Sequence, residues 1–323
     1  MIIITGAAGF IASYVAKSFN KYGVRDIILV DDFHKPEKAR NFEGIQALDR
    51  IHRDDLFNVW DEKYIGKIDA VIHLGARTDT TEKSVEVFNT LNLNYSKKIW
   101  EYCTKYNVNL IYASSAATYG DGNIGYSDLT LPSDLKPLNP YGESKNDFDK
   151  WALAQNTTPP YWLGLKFFNV YGPGEWHKGR MASVVFHAFN QINENGKVKL
   201  FRSHKEGYAD GEQKRDFIYV DDIAEFIWYA YKRHPKAGLL NMGTGKARTF
   251  LDLVKAVFAA MGKEENIEFI DTPEDIRDSY QYFTEADVSK LQTTGYAKDF
   301  HSLEDGIRDY VQNFLMDESI TLR

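Results

Sequence analysis

Met1-Ile2-Ile3-Ile4-Thr5-Gly6-Ala7-Ala8-Gly9-Phe10-Ile11-Ala12-Ser13 opens the chain. Ile2 to Ile4 are consecutive β-branched apolar residues, which suit a strand buried on both faces. The chain turns at Gly6 and Gly9, and then Ile11, Val15, Ser18, Phe19 and Tyr22 recur at helical spacing. The order is strand, glycine turn, helix. Backbone N–H groups at such a helix start point at a pyrophosphate, and the helix dipole favours its negative charge. Gly6 permits the tight turn and Gly9 lets phosphates approach the backbone. Ala12 is the third small residue, which lets helix and strand pack closely. A similar turn occurs in α/β proteins that bind no dinucleotide. Its place after a strand and before a helix is what turns the reading toward a cofactor.

Strand and helix patterns continue to alternate beyond this start. Ile27 to Val30 read as a strand closed by Asp31 and Asp32, and Ala70 to Leu74 as another, ending in Gly75-Ala76. A long helical pattern runs from about Val85 to Tyr106. Leu110 to Ala113 form a fourth strand ending in Ser114-Ser115, a helix begins near Tyr141, and Leu163 to Phe168 form the next strand. This alternation predicts an α/β fold, a Rossmann-type doubly wound parallel sheet, joined by a smaller α/β substrate-binding domain. Ligands in such sheets sit outside the carboxyl ends of the strands. The second half is rich in turns and aromatic residues. Lys214 to Val220 read as a strand, with Asp221 as N-cap of a helix from Ile223 to Tyr231. Thr249 to Met261 and Leu303 to Phe314 are amphipathic helices, and the tail from Asp317 to Arg323 is expected to fray. Residues 1–170 are expected to form the dinucleotide-binding domain, with 214–245 returning to it; 171–213 and 246–323 form the other.

The 323 residues suffice for one large core or two intimate ones. A net charge of -7 argues against non-specific nucleic-acid binding. The single cysteine, Cys103, excludes an internal disulfide and fits a reducing cytosol. The apolar start has no basic residue before it and breaks at Thr5-Gly6, unlike a signal peptide. No stretch is long and apolar enough to span a bilayer. The expectation is a cytoplasmic homo-oligomer with no membrane partner, no nucleic-acid partner and no metal.

Tyr141-Gly142-Glu143-Ser144-Lys145 carries the chemistry. Tyr141 and Lys145 stand at i and i+4, on one helix face. A free phenol ionises near ~10, too high for a base at neutral pH. A neighbouring ammonium favours the phenolate, so Lys145 is expected to lower the Tyr141 pKa. Ser115, at a strand end, would offer a hydroxyl to the same substrate oxygen. One such pair alone is usually a surface feature; its value lies in following the glycine turn and the Ser-Ser strand end.

The start Thr5 to Ser13, the strand end Ala113-Ser114-Ser115-Ala116-Ala117-Thr118-Tyr119-Gly120 and the Tyr141/Lys145 pair resemble the extended short-chain dehydrogenase/reductases. Phe167-Phe168-Asn169-Val170-Tyr171-Gly172-Pro173 and Lys214-Arg215-Asp216-Phe217-Ile218-Tyr219-Val220 look like their nucleotide-sugar branch. His177-Lys178-Gly179-Arg180-Met181-Ala182-Ser183 is similar to the ADP-glyceromanno-heptose 6-epimerases, and the likeness runs from Met1 to about Phe314. The resemblance implies inversion at C6 of an ADP-heptose nucleotide sugar through a transient ketone, for the lipopolysaccharide inner core. It implies Tyr141 and Lys178 as acid–base residues, supported by Lys145 and Ser115. Gly6, Gly9, Phe10, Ile11, Asp31, Asp32, Lys38, Arg53, Leu74, Gly75, Ala76, Asn92, Lys145, Val170 and Lys178 would line the cofactor. Asn169, Arg180, His187, Phe201, Arg215 and Tyr280 would line the nucleotide sugar.

Inverting a secondary alcohol needs a proton handled from two directions, which one tyrosine serves poorly, so a second group such as Lys178 suits the chemistry. By itself a lysine beside a glycine is as readily a surface residue. His73 reads best as a satisfied core histidine. His187 is either core or a phosphate contact. Arg215 either grips a diphosphate, the preferred reading, or pairs with Asp216. Arg77 is bulky for the nicotinamide end. An acid at Asp31 usually binds the ribose of NAD, yet Lys35, Lys38 and Arg40 follow, and the family's habit favours NADP over NAD. A 4,6-dehydratase would need acids where Ala116 and Ala117 stand. A UDP-hexose 4-epimerase has no need of Lys178, and a non-catalytic dinucleotide sensor has no need of the relay.

Overall fold

Ile2–Thr5 (β1) lies inside a seven-stranded, all-parallel sheet in this computed structural model, which describes residues 1–277 and 281–317. Tyr280 and the tail after Asp317 lie outside the described residues. In chain order the strands are β1, Ile27–Asp31 (β2), Asp49–His52 (β3), Ala70–His73 (β4), Asn109–Ser115 (β5), Trp162–Phe167 (β6), Asn169–Tyr171 (β7), Val198–Phe201 (β8), Lys214–Arg215 (β9), Phe217–Tyr219 (β10), Gly238–Met242 (β11), Arg248–Thr249 (β12) and Ile267–Ile270 (β13). The large sheet runs β11-β6-β5-β4-β1-β2-β3. The order reverses at β1, so a crevice opens between the carboxyl ends of β1 and β4.

Alternation along β1 explains both faces. Ile2 and Ile4 join a core with Val15 and Phe19 of the Phe10–Lys21 helix (α1) and with Ile223 and Ile227 of the Val220–Arg233 helix. Ile3 points the other way, toward Ile99, Trp100 and Cys103 of the Tyr95–Lys105 helix and Phe148 of the Pro140–Leu153 helix. Successive strand residues face opposite sides, so a strand covered twice must be apolar throughout. A separate core joins Phe10 and Tyr171 to the Val184–Asn195, Phe250–Ala260 and Leu303–Tyr310 helices. β7–β10, β12–β9 and β13–β8 form two-stranded sheets around it.

Three expectations are corrected. The 85–106 pattern is not one regular helix: Val85–Phe88 and Tyr95–Lys105 are joined by a wider π turn, Asn89–Asn94, that turns Asn92 inward. The 214–220 strand breaks at Asp216, whose buried carboxylate accepts from Thr244, Gly245 and Ala286. Asp221 does not cap the following helix. That helix starts at Val220 with no side-chain cap, and Asp221 accepts from the Tyr14 hydroxyl at 3.0 Å. Among the described residues no helix is long and apolar enough to cross a membrane.

Candidate functional site

The crevice at the carboxyl ends of β1 and β4 is a cleft of about 350 Å³. Gly6 sits at φ +72°, and a Cβ there would lie 2.6 Å from Gly75 Cα. The two strand-end turns therefore meet backbone to backbone, which no larger residue allows. The Gly9 N–H closes the turn onto the Gly6 carbonyl at 2.7 Å, and α1 starts at Phe10. Gly6, Gly9, Phe10, Ile11, Asp31, Lys38, Arg53, Leu74, Gly75, Ala76 and Lys178 all line the cleft. The glycine turn, the helix start behind it and the cations at the β2 end fit a dinucleotide.

Asp31 is held from several sides. Its carboxylate accepts from the N–H of Ala8 at 2.9 Å and of Asp32 at 2.7 Å, and lies 3.6 Å from the Lys38 ammonium. It staples the glycine turn to β2. Asp32 is not on the cleft wall; it stands 3.5 Å from His34 and 3.7 Å from His52. These three side chains place one potential metal-ligand atom each within 4.8 Å of one another, on the surface side of the β2 end.

Asn92 is also off the wall, but it ties the cleft turn to a helix behind it. Its Oδ1 accepts from the Arg77 N–H at 2.8 Å, and its Nδ2 donates to the Arg77 carbonyl and to Ser144 Oγ, both at 3.0 Å. Ser144 in turn donates to the Tyr141 carbonyl. The cleft turn carrying Arg77 is thus fastened to the helix carrying Tyr141. Arg77 itself lines the cleft rim, 3.4 Å from Asp79.

The Pro140–Leu153 helix begins where Asn139 accepts from the Gly142 N–H at 2.8 Å and Pro140 takes the first helical position. Tyr141, Lys145 and Asp149 then fall on one face. Lys145 is 6% exposed and donates to the Ala113 carbonyl at 2.8 Å. Burial lowers its pKa to about 8, opposed by the Asp149 charge. Asp149, fully buried, accepts from Tyr112, from Ser114 at 2.6 Å and from Lys166 at 2.8 Å. Lys166 also donates to Thr118. Ser115 ends β5 and caps the short turn after it by accepting from the Ala117 N–H. Its hydroxyl is within reach of the Tyr141 phenol. Burial pushes that phenol up, and only the Ser115 interaction opposes it. The expected lowering by Lys145 is corrected: desolvation wins, and the ammonium is directed at Ala113.

Lys178 occupies the Trp176–Met181 turn, in which Gly179 takes φ +52°. Its ammonium lies 5.8 Å from the Phe10 ring centroid, against the glycine turn. Burial lowers its pKa and Glu175 opposes the shift. His177 also lines the cleft, 3.1 Å from Asn41, with its pKa pushed down to about 4 by burial and by Lys38 and Lys178. His177 was missed as a site residue, although it precedes Lys178 in the same motif. Thr78 and Met181 on the cleft wall carried no signal beyond proximity to such motifs.

Tyr141, Ser115, Lys145 and the remaining residues are not among those that line this cleft. Val170 packs between the sheet core and the second core. Asn169 donates to the Asp216 carbonyl at 3.2 Å, and Arg215 is buried with its guanidinium on the carbonyls of Lys214 and Gln281. His187 is on the Val184–Asn195 helix, Phe201 ends β8 and Arg180 is exposed. Tyr280 is outside the described residues. His73 is the satisfied core histidine expected, 2.6 Å from Thr5 Oγ1 and 2.9 Å from Ser96 Oγ, with its pKa pushed down to about 3 chiefly by burial.

Residues 2–243 match the NAD dependent epimerase/dehydratase family. A Fusobacterium nucleatum protein named ADP-L-glycero-D-manno-heptose-6-epimerase is 48% identical, over 98% of this chain and 99% of its own length. The Helicobacter pylori crystal structure of that name superposes with a TM-score of 0.80 at 27% identity, covering 97% of this chain and 95% of that one. UDP-glucuronic acid 4-epimerase from Bacillus cereus, with UDP-glucuronic acid and NAD, superposes at 0.77 with 25% identity, covering 97% and 99%.

Proposed function

We propose, from the premise that this chain belongs to the NAD dependent epimerase/dehydratase family, that it inverts C6 of ADP-D-glycero-D-manno-heptose to give ADP-L-glycero-D-manno-heptose. The observation that carries the reading is Lys178 on the dinucleotide cleft, apart from the Tyr141/Lys145 helix, in a chain 48% identical to a protein named for this reaction. Two acid–base groups stand on two supports.

A nicotinamide dinucleotide bound at the glycine turn would supply reversible hydride acceptance. The protein's own residues handle the proton on the C6 oxygen. Tyr141, beside Ser115, takes or gives it on one face of the carbonyl carbon, and Lys178 does so on the other. Lys145 stands one helical turn from Tyr141, with its ammonium held on the Ala113 carbonyl. The low pKa values of Lys145 and Lys178 bring both ammonium groups nearer neutral pH, where proton exchange is efficient. Asn169, Arg180, His187, Phe201, Arg215 and Tyr280 are assigned to the nucleotide sugar by position in the family motif.

NADP is favoured over NAD. The Asp31 carboxylate is already spent on two backbone N–H groups and Lys38, which blunts its repulsion of a 2′-phosphate. Lys35, Lys38 and Arg53 line the same end of the cleft.

The test is turnover in D₂O. Hydrogen that leaves and returns as hydride never exchanges with solvent, so the product should carry no deuterium at C6 by NMR. Substantial deuterium there means deprotonation beside a ketone, and the direct-oxidation reading falls.

A further inference from the structure

Glu175 is 1% exposed and lies three residues before Lys178. Its carboxylate accepts from the Gly172 N–H at 3.3 Å and from the Ser183 hydroxyl at 2.7 Å, and also from the Ser183 N–H. One side chain thus holds both ends of the turn that carries Lys178. The Glu175 carbonyl accepts the Lys178 N–H at 2.9 Å, which ties Lys178 directly to the residue that precedes the turn. From the Leu303–Tyr310 helix, the Tyr310 phenol faces the same carboxylate without completing a hydrogen bond of good geometry.

A pure staple would not need a charge. A buried carboxylate is costly to desolvate unless donors and a counter-charge compensate. Lys178 is the opposite charge that acts on it, from beyond ion-pair distance: each group opposes the effect of burial on the other. The other titratable groups around the pair are Tyr310, which feels Arg40, and His177, which feels Lys38, Lys178 and Asp31. We propose that Glu175 is the positioning residue of Lys178, fixing its turn at both ends and holding its ammonium at the cleft wall. The proposal rests on the acid–base role given to Lys178 above.

The experiment is kcat and KM against pH on ADP-heptose for the parent, Glu175→Gln, Ser183→Ala and Lys178→Met, with thermal melts and extracted dinucleotide as controls for folding. Lys178→Met should abolish the pH limb that Lys178 sets. Glu175→Gln should keep that limb but move it to lower pH by about 1 unit, because the lost negative charge no longer favours the ammonium. Its kcat should fall by about 10–100-fold with KM within about twofold, as for a misplaced catalytic group. Ser183→Ala removes one donor and keeps the charge, so kcat should fall by about 3-fold with the limb in place. It carries the test if Glu175→Gln does not fold, and an unchanged kcat then overturns the proposal. An inactive Lys178→Met beside a Glu175→Gln variant with parental limb and kcat overturns the proposal alone. A Lys178→Met variant of parental activity overturns the catalytic reading and the proposal together.

Discussion

Tyr141 rides on a regular helix whose next two turns put Lys145 and Asp149 on the same face, while Lys178 rides on an irregular turn with a glycine at φ +52° and both ends pinned by one carboxylate. The helix wall is anchored through Asp149 to a fully buried ion pair with Lys166 at 2.8 Å. The turn is anchored through Glu175 to backbone and hydroxyl donors. Both walls set a buried acid near a lysine whose pKa is depressed by desolvation. They differ in what holds the acid: the helix acid has a second cation of its own at hydrogen-bond distance, and the turn acid is held by backbone and hydroxyl donors, with Lys178 acting on it as a charge. The helix wall should therefore keep its geometry when its lysine is altered, whereas the turn depends on the charges at its centre.

The largest effect should come from Tyr141→Phe, which removes one hydroxyl and leaves the helix wall standing. The rate should fall by roughly 10²–10⁴ with the dinucleotide still bound, measured by single-turnover kinetics and nucleotide extraction. A variant of near-parental rate would make Lys178 the sole proton carrier and break the two-wall comparison.

Asp149→Asn should come next, and it strikes stability. It leaves the Lys166 ammonium buried without its counter-ion, so denaturant melts should show a loss of about 3–5 kcal/mol. A loss below about 1 kcal/mol would mean that Thr118 alone satisfies Lys166, and the helix wall would then be no better anchored than the turn.

Lys145→Met should have the smallest effect and the opposite sign. The folded pKa of about 8 lies below the ordinary lysine value of 10.5. Between those values the unfolded chain binds a proton that the folded chain has lost, so stability rises with pH through that window. Below about 8 the folded protein holds a buried ammonium at a cost. The methionine variant should thus be more stable than the parent at pH 7, by on the order of 1–3 kcal/mol, and the gap should close between about pH 8 and pH 10.5. A stability difference independent of pH would show that the ammonium is not what burdens this wall.

Much of the helix wall was legible before any coordinates. Tyr141 and Lys145 share a face because helical spacing dictates it, and β1 is central because Ile2, Ile3 and Ile4 leave no polar side for solvent. The extension to Asp149 follows the same period, yet its partner Lys166 comes from β6, which no local pattern indicates. The 214–220 segment read as one strand, but it breaks at Asp216, whose carboxylate is drawn inward by three backbone N–H groups from distant loops, which no local pattern indicates.

From the sequence alone followed the parallel sheet, the glycine turn and the Tyr141/Lys145 face, since each is written in residues close enough along the chain for backbone geometry to set their directions. The tertiary structure alone decided that Asp31 is spent on Ala8, that Asn92 clasps Arg77 to Ser144, that the Tyr141 phenol is governed by burial and not by Lys145, and that Glu175 stands behind Lys178. The reason is physical: desolvation and hydrogen-bond satisfaction depend on everything that surrounds a group, and for these groups the surroundings come from elements far apart in the chain.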